Sequence, residues 1–555
     1  MIETRFISSL EKVFLDEEAK NFNEIKKISA LRGEKLSLQL VYRYTDEGEN
    51  LTRLPFYLKI DSELSNFINI YNLRQVPVIK PVFHFKTDDN YLRTAPGLFP
   101  DLLEPTNKDA EFYATHGISE CIWLEIAIPE DTSLLGDIPL AISLLDEKGG
   151  LFSKSECHIE IIPFKLPEQK LIFTQWFYCD CLADYYRVPV WSDRHWQIIE
   201  NYAKKAVELG INTLLTPVFT PPIDTKVGGE RLTTQLTEIK KTGNEYFFSW
   251  TLLDKWIEMC NRVGIKKLEV SHLFTQWGAT SAPKIMAEVD GEYKQIFGWD
   301  TDAHGEEYRY FIRQFLKAFL QHMKERGDED RLFFHISDEP IEEQLPDYEK
   351  SKNIVADILD GYTIMDALSS YDFYEKGVVK TPIPANDHIK PFIENGVENL
   401  WTYYCCGQCL GVSNRLISMP SWRNRSIGMQ MYKYNIVGFL HWGYNFYNSE
   451  YSLALINPYL DLSGEKWVPA GDPFSVYPAF DGTAMPSLRA IVFYEALQDM
   501  RAMALCESLY SHKEVVEALE KSLGYEISFD RCAVSSEEIH KAREVINSMI
   551  KAKGN

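Results

Sequence analysis

Between Leu171 and about residue 505 the chain repeats one unit: a short apolar run, a loop, and an amphipathic stretch punctuated by glycine or proline. The apolar runs are Leu171–Trp176, Ile211–Thr216, Lys267–His272, Phe333–Pro340, Asn399–Tyr404 and Ile436–Trp442, with weaker ones at Tyr362–Met365 and Val378–Thr381. Helical periodicity fills 194–209, 250–263, 304–326, 347–359, 421–433 and 487–505, and Gly210, Gly264 and Gly327 stand where a helix would stop. Strands separated by helices run parallel, because each crossover returns the chain to the same end of the sheet. Eight such units predict a closed (β/α)8 barrel. An open doubly wound sheet is the competing arrangement, but no glycine-rich phosphate loop follows the first run.

Residues 1–165 follow a different rhythm. Leu36–Tyr42, Phe56–Ile60, Cys121–Ile128, Ile138–Leu144 and Cys157–Ile162 alternate with period two between polar turns such as Asp146–Gly150, which predicts a β-sandwich. Pro163–Glu168 reads as a short stiff linker. The expected organisation is therefore a sandwich over 1–165, a catalytic barrel over 166–506, and a helical segment over 507–555 packed on the barrel. In that last segment Ser535 and Glu538 have capping-box spacing.

The balance of 58 basic against 81 acidic residues, net -23, disfavours nucleic acid and anionic membranes as partners and suits a neutral ligand. No run reaches the length of a membrane span, and Met1–Phe6 lacks the basic and apolar blocks of a secretory signal, so a cytoplasmic location is expected. Ten cysteines, mostly in apparent strands, fit reduced thiols; Cys406-Gly407-Gln408-Cys409 lacks the second pair a zinc site needs. No cofactor or metal is expected.

Barrel sites gather at the C-terminal ends of the strands. Those ends here supply Trp176, His272, Asp338, Glu339, Trp401, Tyr403 and Trp442, an aromatic bowl with an acidic centre. Aromatic rings stack on sugar faces as readily as they fill cores, and two carboxyl groups are the minimum equipment for cleaving a glycosidic bond. Retaining enzymes usually place acid and nucleophile on different strands. The strand-seven run, through Cys406, carries no carboxylate. Adjacent Asp338 and Glu339 suit an arrangement in which the substrate's own 2-acetamido oxygen is the nucleophile. Glu339 then serves as acid and base with its pKa pushed upward, and Asp338 steadies the acetamide and its positive charge. The alternatives are a distant second carboxylate, Asp366, Asp180 or Asp184, acting on a sugar without the acetamido group, or a carbohydrate-binding barrel without activity. His272 and His441 lack the HxH partner on the first strand that a metal hydrolase would use, and His335 reads as a hydrogen-bonded core histidine.

Ser337-Asp338-Glu339-Pro340, Trp401-Thr402-Tyr403-Tyr404-Cys405, Leu440-His441-Trp442-Gly443-Tyr444-Asn445, and Tyr477-Pro478 with Asp481-Gly482 and Pro486-Ser487-Leu488-Arg489, together resemble glycoside hydrolase family 123. The resemblance spans about 30–505. It implies a β-sandwich before a barrel and an exo-acting β-N-acetylgalactosaminidase working by acetamido assistance with net retention on a carbohydrate substrate. It also implies Asp338 as oxazolinium stabiliser, Glu339 as acid/base, and Tyr403, Trp442, Tyr444 and Asn445 as approximate matches for sugar contacts. Ile491 and Gln498-Asp499-Met500 depart from the more acidic pattern expected there, which bears on substrate identity. Arg489 and Asp499 read as a structural ion pair or helix anchor.

Overall fold

The computed structural model describes residues 2–45, 53–84, 86–276 and 278–554. Eight short parallel strands form the central sheet: β1 (Ile172–Gln175), β2 (Thr213–Thr216), β3 (Lys267–Val270), β4 (Leu332–Phe334), β5 (Thr363–Ala367), β6 (Thr381–Ile383), β7 (Trp401–Tyr403) and β8 (Gly438–His441). Their order is β6-β5-β4-β3-β2-β1-β8-β7. The remaining gap, between β6 and β7, is bridged just past β6, where Tyr403 N–H donates to Pro384 O at 3.2 Å and Asn386 N–H to Tyr403 O at 2.9 Å. The observed ladders are shorter than the apolar runs because each run continues past its last ladder bond into the loop that carries chemistry.

Crossover helices surround the barrel: α1 (Asp193–Glu208), α2 (Thr251–Val263), α3 (Glu306–Arg326), α4 (Leu345–Val355), α5 (Ser421–Lys433) and α6 (Leu488–Leu509). Ser192 and Ser487 cap α1 and α6 by accepting the N–H of His195 and Ala490, and Gly264 and Gly327 end α2 and α3 with φ of 95° and 75°, the left-handed stop that only glycine adopts without cost. Strand parity sorts the side chains. Phe334 packs outward on Phe319 of α3, whereas Phe333 meets Trp401 inside the barrel at 5.9 Å between ring centroids.

One insertion was not expected. Hairpins Glu238–Thr242/Glu245–Ser249 and Ile285–Phe297, from the loops after β2 and β3, join through Lys240–Lys241 and Glu288–Val289 into a four-stranded sheet beside α3.

Among the described residues ten strands precede the barrel in two five-stranded sheets, apolar residues of each facing the other across a common core. Within the first sheet, Lys35–Tyr44 is buried along nearly its whole length. Leu38 and Leu40 face the sandwich core while Val41 belongs to the barrel-side cluster, so this strand is covered on both faces.

After α6 come α7 (His512–Leu523) and α8 (Ser536–Ala552). Ser535 accepts the Glu538 N–H, but the Glu538 carboxylate takes the Val534 N–H rather than that of Ser535, an offset capping box. Along α8, Arg543 donates to Asp499 of α6 at 2.8 Å and to Glu34 of the sandwich at 2.7 Å, and Asn547 donates to Ser29. The helix therefore touches sandwich and barrel alike. Among the described residues no helix is long and apolar enough to cross a membrane.

Candidate active site

Beneath the mouth of the barrel, polar groups occupy inward positions where a barrel core is usually aliphatic. Glu269 of β3 accepts from the Trp176 indole at 2.7 Å and from Thr174, and approaches His335 Nε2 at 2.6 Å. His335 Nδ1 lies 3.2 Å from Asp366, which also receives the Tyr348 hydroxyl and the Ile336 N–H. Burial alone would lower the His335 pKa. The hydrogen bonds to Asp366 and Glu269 and their charges outweigh it and raise the group to about 10, so His335 is an imidazolium held between two carboxylates. His272 stacks on this ring at 4.4 Å, fully buried, and burial keeps it neutral.

Among the described residues, His272, His335 and Asp366 are the one group whose positions approach those of metal ligands. Both His335 nitrogens are already engaged by carboxylates, and face-to-face rings send their lone pairs along parallel planes rather than to one point. This layer is a hydrogen-bonded platform under the site.

Above it, β4 ends at Phe334 and the chain runs irregularly to Pro340. In an extended strand two neighbouring side chains would point to opposite faces. Glu339 instead adopts φ 40°, a left-handed conformation uncommon outside glycine, and both Asp338 and Glu339 line one cleft. Burial, followed by the charge of Glu339, raises the Asp338 carboxyl well above the usual range. The protein crowded around the Glu339 carboxyl raises it too, although the residue as a whole is exposed, while the Tyr403 hydroxyl, donating to Oε1 at 2.7 Å, favours its ionised form. The repulsion between the two carboxyls is mutual and opposes ionisation of both at once. Two such neighbouring carboxyls titrate as a pair, and burial favours the protonated form of each.

Of the remaining predicted contacts, Trp176, Tyr403 and Trp442 line the same cleft. The Trp442 indole donates to Asp472 at 3.0 Å, and Asp472, raised to about 7 by burial, in turn lies 3.4 Å from His441. Four predicted residues lie elsewhere. His272 is in the platform; Trp401 lies deeper in the barrel against Phe333 and over Gly438; the Tyr444 hydroxyl donates to Tyr202 O of α1; and Asn445 clamps the Tyr178 backbone through both its N–H and C=O. Asp366 belongs to the platform, and Asp180 is paired with Arg231 at 2.7 Å. Neither they nor Asp184 lines the cleft.

A third carboxylate that does line it is Asp224, from the loop after β2. Its φ is 46°; its backbone N–H donates to Gln276 and its C=O accepts from Ser452. Burial, with Glu339 and Asp472 adding to it against the opposing pull of Arg231, raises it to about 7. Asp224 stands eight residues past the end of β2, beyond the reach of a strand-end reading. Only the turn-forming Pro221-Pro222 before it hinted at a fixed loop. Cys405 and Cys406 also border the cleft, with the Cys405 thiol donating to Gln408 at 3.3 Å.

A parallel eight-stranded barrel with an aromatic cleft and paired carboxyl groups at a strand end is the constellation of a barrel glycoside hydrolase. The description of the glycoside hydrolase 123 catalytic domain matches residues 176–506, more than half of the chain, and the chain belongs to that family. Its fold is similar to that of a family 123 glycoside hydrolase from Clostridium perfringens, with a TM-score of 0.75 and 17% identity over 99% of this chain and 98% of the other. A family 5 mannosidase from Rhizomucor miehei is far less similar (TM-score 0.33, 13% identity, 63% of this chain and 96% of the other), as is a β-glucuronidase from Parabacteroides merdae (0.29, 10%, 90% and 51%). No curated protein sequence matches the chain. The enzyme is a glycoside hydrolase, and its substrate is a carbohydrate.

Proposed function

We propose that the enzyme removes a terminal β-linked N-acetylhexosamine, N-acetylgalactosamine in the first instance, from the non-reducing end of a glycan with net retention through acetamido assistance. The observation that carries this reading is the placing of Asp338 and Glu339 side by side at one cleft wall, while β7, the strand opposite, offers Tyr403 and thiols instead of a carboxylate. The Glu339 carboxyl proton goes to the glycosidic oxygen as the C1–O bond breaks, and the acetamido carbonyl oxygen bonds to C1. Asp338 accepts the acetamido N–H and steadies the oxazolinium cation. Water then attacks C1, surrenders its proton to Glu339, and reopens the ring.

The coupling of the two carboxyls gives the substrate a part in this. Burial, with the charges of Glu339 and Asp224, favours the protonated form of Asp338. An acetamide N–H donating to it stabilises its charged form, so binding favours an ionised Asp338 beside a protonated Glu339, the division the reaction needs. The Clostridium perfringens neighbour is described as hydrolysing glycolipid glycans, which makes a glycolipid headgroup a natural first substrate to assay.

Asp338→Asn and Glu339→Gln are expected to lower turnover of an aryl β-N-acetylgalactosaminide by roughly 10²- to 10⁴-fold with folding intact, and a thiazoline analogue should inhibit competitively. Unaltered turnover in both variants removes the assignment. Asp224 in the cleft favours one other reading, with this carboxylate as the partner of Glu339 on a sugar without an acetamido group. Azide rescue of Asp224→Ala, together with indifference to the thiazoline, would select it.

A further inference from the structure

An open groove of about 740 Å³, within the size range of ligand sites, lies between α3 and the inserted hairpin Glu238–Thr242/Glu245–Ser249. It shares no residue with the catalytic cleft. The part of α3 that lines it, 306–317, is the half nearer the C-terminal ends of the strands, so the groove runs along the flank of the barrel at the end where the cleft opens.

The chain as a whole carries a charge of -23, yet this lining holds four cations, Lys241, Arg309, Arg313 and Lys317, against two carboxylates, Glu306 and Glu307. Lys241 is taken by Glu307 at 3.0 Å, and Arg313 by Asp357 at 2.6 and 2.7 Å. Arg309 and Lys317 form no ion pair among the described residues, and Glu306 sits in the first turn of α3, where the helix dipole favours its charge. Between the two free cations the Tyr310 ring is 49% exposed, its hydroxyl donating to Glu245 at 3.3 Å, and offers a face on which a sugar can stack. Gln314 accepts the Tyr246 N–H with its oxygen at 3.4 Å, but its amide nitrogen is buried with no acceptor among the described residues. A ligand hydroxyl or carboxylate would supply one. Arg309 and Lys317 stand eight residues apart on one helix, about 12 Å along its axis, too far for one small anion to meet both. A chain with negative groups in series can. Nucleic acid, with a charge about every 1.7 Å, is poorly matched to two free cations on an acidic protein, whereas an acidic polysaccharide spaces its charges widely and brings hydroxyls between them.

We infer that the groove between α3 and the inserted hairpin is a second carbohydrate-binding site, apart from the catalytic cleft, that holds an acidic glycan chain through Arg309, Lys317, Tyr310 and Gln314. This site is independent of the roles of Asp338 and Glu339 and of the sugar the cleft takes. A glycan held on the flank is kept at high effective concentration near the cleft mouth without taking part in the chemistry.

The test measures binding of the full-length enzyme to four immobilised polymers: chondroitin sulfate, which carries sulfate and carboxylate; hyaluronan, which carries carboxylate alone; neutral dextran; and a single-stranded DNA oligonucleotide. Binding to chondroitin sulfate, or to both acidic polysaccharides, is expected at low salt and should weaken as salt rises, with none to dextran. Binding to both assigns the cations to carboxylate, and binding to chondroitin sulfate alone assigns them to sulfate. The double variant Arg309→Gln/Lys317→Gln, changed at two exposed helix positions, should lose about tenfold or more in affinity, and Tyr310→Ala about threefold or more. Turnover of an aryl glycoside should stay within about twofold of wild type in both variants, because none of these residues lines the cleft. The site is overturned if neither acidic polysaccharide binds, if dextran binds equally well, if the oligonucleotide binds more tightly than both, or if the double variant binds as the wild type does. Loss of the N-acetylhexosaminidase reading would show in the aryl glycoside assay alone and leave these affinities where they are.

Discussion

Asp224 shows how a single side chain widens what the cleft can do. Its carboxyl receives no hydrogen bond from a described protein group, while its backbone is fixed on both sides, so it presents an acceptor ready for a sugar hydroxyl. Asp224→Asn is expected to lower kcat/KM by roughly 10-fold or more, the loss of about 1.5–3 kcal/mol from a hydrogen bond to a charged group. It also removes a negative charge that helps hold the Asp338 pKa up. The Asp338 pKa should therefore fall, and the acid limb of the kcat/KM profile should move to lower pH; a pH-rate series on the variant reads this directly. Asp338, Glu339 and Tyr403, candidates from the sequence that line the cleft, were legible because they stand at strand ends, although parity alone would have parted the two carboxyls. Asp224 was not, because a loop of eight residues carries no periodicity to say which of its side chains turns inward. Tyr444 and Asn445 misled for the opposite reason: they follow a strand end closely, yet the loop folds back and spends them on the Tyr202 and Tyr178 backbones.

Among the elements, β7 and β8 depend on one missing side chain. A Cβ on Gly438 would overlap the Trp401 ring, which lies across it from the neighbouring strand. Gly438→Ala should destabilise by about 1–3 kcal/mol, or more if the ring cannot move, and lower the melting temperature. Tyr403, two residues on from Trp401, should shift with it, so activity ought to fall further than stability alone explains. A melting curve alongside kcat separates the two. The eight-strand rhythm was readable even where β5 and β6 were faint, because helices and glycine stops marked the intervals between them. The sheet made by two inserted hairpins was not foreseen: its strands are only five or six residues long and mix exposed with buried positions, although Gly243-Asn244 and Asp290-Gly291 each bear a hairpin signature.

At the scale of the whole molecule, buried charge joins the parts. Arg489 of α6 pairs with Asp101 of the sandwich at 2.9 Å, not with Asp499, which instead receives Arg425 and Arg543. Arg543→Met leaves Glu34 and Asp499 buried without that partner and should cost about 3–5 kcal/mol, seen as a lower denaturant midpoint. His540, on the same helix, meets the Ser8 hydroxyl at 2.6 Å, and burial, aided by Arg425, lowers it to about 4. An unfolded histidine titrates near 6.5. Stability from the neutral ring is therefore full above about pH 6.5 and lost as pH falls toward 4. The melting temperature of His540→Gln should decline less than that of the wild type over this interval. None of these pairings could be read in advance, since each joins residues far apart in the chain and sequence gives the charges without their partners.

The strand Lys35–Tyr44, covered on both of its faces, has a consequence for anyone who would cut or graft this enzyme. A carbohydrate-binding appendage tethered by a linker can be exchanged like a cassette. Here a shortened chain beginning at residue 166 would lose the apolar cover that this sheet lends the barrel and strand Arg489 without Asp101, so the isolated barrel is expected to come from the cell as aggregate. The place where the strand rhythm changes is a seam for the reader of the chain, and a weld for the molecule.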